Sequence, residues 1–68
     1  MENRLTVIRA EKKLSQQALA KLAGISRATL SAIENGHNVP DGETIAKLVK
    51  ALNVPAGDIF LALDVMRA

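Results

Sequence analysis

Apolar residues recur along this chain at helical spacing, in five groups separated by turn-forming residues. Leu5 and Ile8 define the first group and predict a helix from about Glu2 to Lys12, followed by a turn at Lys13-Leu14. Leu19 and Leu22 are three apart, as are Leu30 and Ile33, and each pair predicts one face of a short amphipathic helix. Ile45, Leu48, Val49 and Leu52 follow the i, i+3, i+4, i+7 rule and predict a fourth helix behind Asp41 as N-cap. Ile59 and Phe60 close the pattern in a fifth helix that begins near Pro55 or Ala56. No alternating strand pattern competes with these groups, so the fold class is all-α, a compact five-helix domain.

The second and third helices are joined in a way that restricts their geometry. Ser15 is placed to cap the second helix, and Gly24 stands where that helix must end and the chain turn, a position that favours a residue tolerating positive φ. Ile25 follows as a plug for the corner, and Ser26 supplies the N-cap oxygen of the third helix, running from Arg27 to about Glu34. Ala20 lies where the two helices would cross most closely and a larger side chain would push them apart. Asn35-Gly36 terminates the third helix, and residues 37–40 form a loop. An ordinary helical hairpin would need only the leucines; the five constraints together make a helix-turn-helix.

The runs Leu14-Ser15-Gln16, Leu19-Ala20, Gly24-Ile25-Ser26, Leu30, Ile33-Glu34-Asn35-Gly36, Pro40, Ala51-Leu52 and Ile59-Phe60 resemble the Cro/repressor family of helix-turn-helix proteins, also called the xenobiotic-response-element family. Its small stand-alone members are the most similar, over roughly residues 3–61. The resemblance implies a repressor-like DNA-binding domain over residues 1–62, with residues 63–68 as a C-terminal tail. There are two departures from the family pattern: Gly42 replaces a common leucine, and Pro55 with Gly57 replaces a Ser-initiated start. Glycine in a first turn costs on the order of 1 kcal/mol relative to alanine, which predicts that helices four and five start late or fray.

Composition narrows the reading. With 68 residues, the chain is one domain near the lower limit for folding without staples, and its single aromatic residue, Phe60, predicts an aliphatic core. It has no cysteine, so disulfides and thiolate metal sites are excluded. No apolar run approaches a membrane span, and the opening Met-Glu-Asn-Arg lacks a signal-peptide core. A cytoplasmic protein with no membrane association is expected. The net charge is +2, and the pI is near 9.4. Arg4, Arg9, Lys12, Lys13, Lys21 and Arg27 lie in the first half against Glu2, Glu11 and Glu34, with Asp58 and Asp64 near the end. Placement of charge therefore supports a nucleic-acid partner more than its sum does. There is no paired-carboxylate cleft, activated nucleophile, glycine-rich phosphate loop or metal cluster, so no enzyme activity, cofactor, metal or small-molecule ligand is expected.

Function follows from the resemblance position by position. The third helix is expected to lie in the major groove with Arg27, Ala28, Ser31 and Ala32 as base-facing residues. Arg27 can present a fork to guanine O6 and N7, the alanines can pack on thymine methyls, and Ser31 can donate or accept. Phosphate contacts are expected from Ser15, Gln16, Ser26, Asn35, His37, Asn38 and Arg9, most of them at helix ends where free N–H groups face outward. Arg9 and Glu34 match family positions that form a partly buried ion pair, so Glu34→Ala is expected to destabilise more than Glu11→Ala. Phe60, Leu61, Leu63 and Met66 continue an apolar stripe and are expected to form a homodimer interface. The function expected is a sequence-specific regulator, repressing as a homodimer on a palindromic operator in double-stranded DNA. An antitoxin-like module with a protein partner and secondary DNA binding is the alternative.

Overall fold

The computed structural model describes residues 2–60. Five helices follow one another among these residues: α1 (Leu5–Glu11), α2 (Gln16–Ala23), α3 (Arg27–Glu34), α4 (Gly42–Leu52) and α5 (Ala56–Ile59). The all-α expectation and the order of elements are as read from the sequence. Helix α2 packs against both α3 and α4, and α5 lies on α4. Between them they enclose a core of Leu5, Leu19, Leu30, Leu48, Ile59 and Phe60, each without exposed surface, with Ile8, Ile33 and Leu52 nearly as buried. None of the helices among the described residues is long and apolar enough to cross a membrane.

Helix ends differ from the sequence expectation in instructive ways. Helix α1 begins at Leu5 and not at Glu2, because the residues before it are bonded elsewhere. Asn3 Oδ1 accepts from the Leu5 N–H (3.1 Å), and the Arg4 N–H donates to the Ile59 carbonyl (2.9 Å), tying the entering chain to α5. Helix α4 shows no delay at Gly42: Asp41 accepts from the Thr44 N–H at 2.8 Å, so the cap offsets the glycine. The same Thr44 N–H holds the Asp41 carboxyl below the usual carboxylate range. Helix α5 does start at Ala56, and it lasts only four residues.

Four helices end on a left-handed residue, and only two of these are glycine. Gly24 (φ 72°) and Gly36 (φ 75°) follow α2 and α3, whereas Lys13 (φ 57°) and Asn53 (φ 56°) follow α1 and α4. After α1, α2 and α3 the last carbonyls are closed by the same pair of reversed bonds, for example Leu14 N–H to Arg9 O (2.9 Å) with Lys13 N–H to Ala10 O (3.1 Å).

The apolar stripe of α2 is not Leu19 and Leu22. Leu19, Ala20 and Ala23 are buried, while Leu22 is 61% exposed. Because α3 and α4 cover α2 from two sides, the buried stripe runs i, i+1, i+4 and leaves Leu22 on the flank beside Lys47, Lys50 and Ala51. In α4, Leu48 and Leu52 are buried and Ile45 and Val49 pack against the core from its edge.

Candidate nucleic-acid interface

Two serines start the helices of the motif. Ser15 is extended (ψ 163°) and its hydroxyl accepts from the Ala18 N–H (3.0 Å), which sets the first turn of α2. Ser26 does the same for α3, accepting from the Thr29 N–H (3.0 Å) while its own hydroxyl donates to Thr29 Oγ1 (2.7 Å). The remaining first-turn N–H groups of each helix have no intrahelical acceptor and carry the positive end of the helix dipole. Gly24 closes α2, and the Ile25 N–H bonded to the Ala20 carbonyl (3.0 Å) brings the chain round to Ser26. Ala20 is buried as expected of the residue beneath a helix crossing.

The two faces of α3 are chemically distinct. Leu30 and Ile33 point into the core, while Arg27 and Ala28 are exposed and Ser31 and Ala32 half-exposed. The four residues expected to face bases thus share the outward side of one helix, with an arginine at its N-terminal end. Among the residues expected at phosphates, Ser15, Ser26, Asn35, His37 and Asn38 are exposed and Gln16 and Arg9 are half-buried. Asn35 Nδ2 reaches back to Ser31 Oγ at 3.5 Å. The His37 and Asn38 N–H groups both bond to the Ala32 carbonyl (2.9 and 3.2 Å), so the loop after α3 is pinned to the helix and not detached from it.

Glu34 is the centre of the polar network under this surface. Arg9 Nε donates to Glu34 Oε2 (2.7 Å) and Arg9 Nη2 to Oε1 (3.2 Å), a two-bond pair whose side chains are 17% and 6% exposed. Arg9 Nη1 also donates to the Leu14 carbonyl (3.0 Å). Gln16 Nε2 adds a third donor to Glu34 Oε1 (3.1 Å), and Thr6 Oγ1 lies at 3.4 Å from the same oxygen. No buried side-chain nitrogen or oxygen among the described residues lacks a partner, as a low-dielectric site requires.

The structure adds residues that sequence reasoning missed. Asn3 Nδ2 donates to the Ile33 carbonyl (2.8 Å), so the arm before α1 holds the end of α3 as well as starting α1. An asparagine just before an apolar-periodic run is a cap signal and could have marked it. Gln16 bridges Glu34 and Arg27, whose Nε donates to Gln16 Oε1 at 3.2 Å; no local pattern announces a contact between residues eleven apart on different helices. Phe60, also expected in an interface between copies, has no exposed surface and fills the core of its own chain. Leu61, Leu63 and Met66 lie outside the described residues.

Comparison with known proteins agrees with this geometry. A helix-turn-helix family model matches residues 7–59. An HTH-type transcriptional regulator of Methanocaldococcus jannaschii is 41% identical over 64 residues, covering 94% of this chain and 97% of that protein. The HTH-type transcriptional repressor RghR of Bacillus subtilis is 46% identical over 52 residues; the match takes in 75% of this chain but only 38% of RghR. Among solved structures, the restriction-modification controller protein C.AhdI of Aeromonas hydrophila superposes with a TM-score of 0.77 at 34% identity, over 81% of this chain and 83% of that one. The chain belongs to the Cro/repressor-type helix-turn-helix family of DNA-binding transcriptional regulators.

Proposed function

We propose that this protein represses transcription as a homodimer on a palindromic operator, with α3 in the major groove and Arg27 reading a guanine. The observation that carries the reading is the exposed N-terminal end of α3, where Arg27 stands over Ala28, Ser31 and Ala32 while the opposite face is locked into the core. Helix α2 presents its own N-terminus at Ser15 and Gln16 on the same network, which suits phosphate anchoring beside the base contacts. Repression is supported by the likeness to RghR, a repressor by name. The dimer is supported by the apolar run Leu61, Leu63 and Met66 and by the two-fold symmetry that a pair of recognition helices imposes on an operator.

Selection of binding sites from a randomised duplex pool, with Arg27→Ala run beside the intact chain, tests the proposal. A palindromic motif with half-sites about one helical turn apart, and a guanine preference that disappears in Arg27→Ala, is the expected result. Recovery of no motif would overturn it. Sedimentation at micromolar concentration checks the dimer separately: a monomer for both the full chain and one ending at Ala62 would remove it.

A further inference from the structure

The short arm before α1 ties three helices together. Asn3 Oδ1 accepts from the Leu5 N–H at the start of α1 (3.1 Å), and Asn3 Nδ2 donates to the Ile33 carbonyl in the last turn of α3 (2.8 Å), thirty residues away. One partner is a donor and the other an acceptor, so only one orientation of the carboxamide satisfies both. The next residue fixes the arm itself, because the Arg4 N–H donates to the Ile59 carbonyl of α5 (2.9 Å). On α3, the Ile33 carbonyl also accepts from the Gly36 N–H (3.0 Å), and the Ala32 carbonyl accepts from the His37 and Asn38 N–H groups (2.9 and 3.2 Å). The loop after α3 therefore hangs from two neighbouring carbonyls, and Asn3 grips one of them from outside the helix.

We propose that Asn3 is a positioning residue for DNA binding: it holds the loop after α3 so that Asn35 and His37 meet a phosphate, and does not touch DNA itself. The proposal rests on the reading of those two residues as phosphate contacts. Its first physical ground is order. Asn35 and His37 are exposed, and the Asn35 side chain is held only by a 3.5 Å approach to Ser31 Oγ. A loop anchored before binding loses less conformational freedom on contact with DNA. The second ground is electrostatic. The last carbonyls of a helix carry the negative end of its dipole and repel a phosphate. Here the Ser31, Ala32 and Ile33 carbonyls each accept an N–H from the chain that follows, and Asn3 brings Ile33 a second donor from a different part of the molecule. Phosphates flank every base pair alike, so Asn3 contributes to affinity and not to the choice of base.

The test uses the full chain with Asn3→Ser, Asn3→Ala and the pair Asn35→Ala with His37→Ala, alone and combined with Asn3→Ser. Serine keeps an oxygen for the Leu5 N–H but lacks the amide donor that reaches Ile33, whereas alanine removes both. Fluorescence anisotropy at one salt concentration measures binding to the selected duplex, to its single-base variants and to a duplex of unrelated sequence, below the melting transition of every variant. Asn3→Ser is expected to weaken binding roughly threefold to tenfold, about the worth of one hydrogen bond, and by the same factor on every duplex. Asn3→Ala is expected to show the same loss of binding with a lower thermal midpoint than Asn3→Ser. Once Asn35 and His37 are alanine, Asn3→Ser is expected to cost nothing further, which a general loosening of the fold would not produce. A loss that multiplies undiminished in that background would make Asn3 a stability residue and overturn the proposal. So would a loss confined to particular base substitutions. Unchanged binding in Asn3→Ser, beside a clear loss when Asn35 and His37 are replaced, overturns the positioning role alone. Unchanged binding when Asn35 and His37 are replaced overturns the phosphate reading and the positioning role with it.

Discussion

The two sides of this small domain are held together by different physics. On the side of α1, α2 and α3, a polar network converges on Glu34, with Arg9, Gln16 and Thr6 as donors and Arg27 at its outer edge. On the side of α4 and α5, cohesion is apolar: Leu48, Leu52, Ile59 and Phe60 are buried, and the ion pair along α4, Glu43 with Lys47 at 3.5 Å, is exposed. Apolar packing is tolerant of small rotations, whereas a two-bond arginine–carboxylate pair fixes geometry. The difference places directional bonds where a helix must be held at a defined angle to a partner, and non-directional packing where only cohesion is needed.

The largest expected effect that tests this contrast is loss of the Glu34 carboxylate. Glu34→Ala leaves Arg9 half-buried with the Leu14 carbonyl as its remaining partner. A destabilisation of about 3 kcal/mol is expected, at the low end for breaking a buried pair. Glu43→Ala and Glu11→Ala, both at exposed positions, are expected to change stability by no more than about 0.5 kcal/mol. Urea denaturation of the three variants measures this directly; equal midpoints would erase the distinction between the two sides.

Backbone strain at the helix ends gives the next effects. A Cβ at Gly24 would meet no atom within 4 Å, so Gly24→Ala has no steric clash to contend with and acts through φ 72° alone. It is expected to destabilise by about 1–2 kcal/mol. Lys13, already left-handed at φ 57°, is the converse case. Lys13→Gly is expected to stabilise by about 0.5–1 kcal/mol, the backbone relief being partly offset by the freer unfolded chain. Thermal midpoints moving in the same direction for both substitutions would contradict the left-handed assignment.

The smallest effect belongs to the apolar side and depends on pH. Asp41 has a carboxyl held low by the Thr44 N–H, so its capping contribution is complete above the usual carboxylate range and fades as pH falls through the lowered value. The advantage of the intact chain over Asp41→Ala should therefore be constant near neutrality and shrink in acid. Asp41→Asn retains a cap acceptor without a titrating group, and its advantage over alanine should not shrink. Melting curves from neutral pH downward compare the three.

Much of the fold was legible because its signals are local. Ser15, Ser26 and Asp41 each cap the helix they precede, and Gly24 and Gly36 each supply the left-handed residue a helix end requires. Capping and positive φ are decided within three or four residues, so a one-dimensional reading suffices. Leu22 shows where this fails. Spacing of three put it on the face of Leu19, but which flank of a helix is covered depends on where its neighbours lie, and α3 and α4 cover the Leu19, Ala20 and Ala23 side. The start of α1 failed for the same reason, since Arg4 is drawn into a bond with Ile59, fifty-five residues away. For the candidate interface, the outward placement of Arg27, Ala28, Ser31 and Ala32 follows from helical phase once Leu30 and Ile33 are inward.

The sequence by itself determined the class of fold, the order of its helices, the capping of α2, α3 and α4 and the outward face of α3, because these depend on periodicity and short-range hydrogen bonds. Only the tertiary structure decided which flank of α2 is buried, that Asn3 and Ile59 hold the entering chain, and that Gln16 joins Glu34 to Arg27. Those contacts unite residues far apart in the chain, and their geometry exists only after the helices have packed.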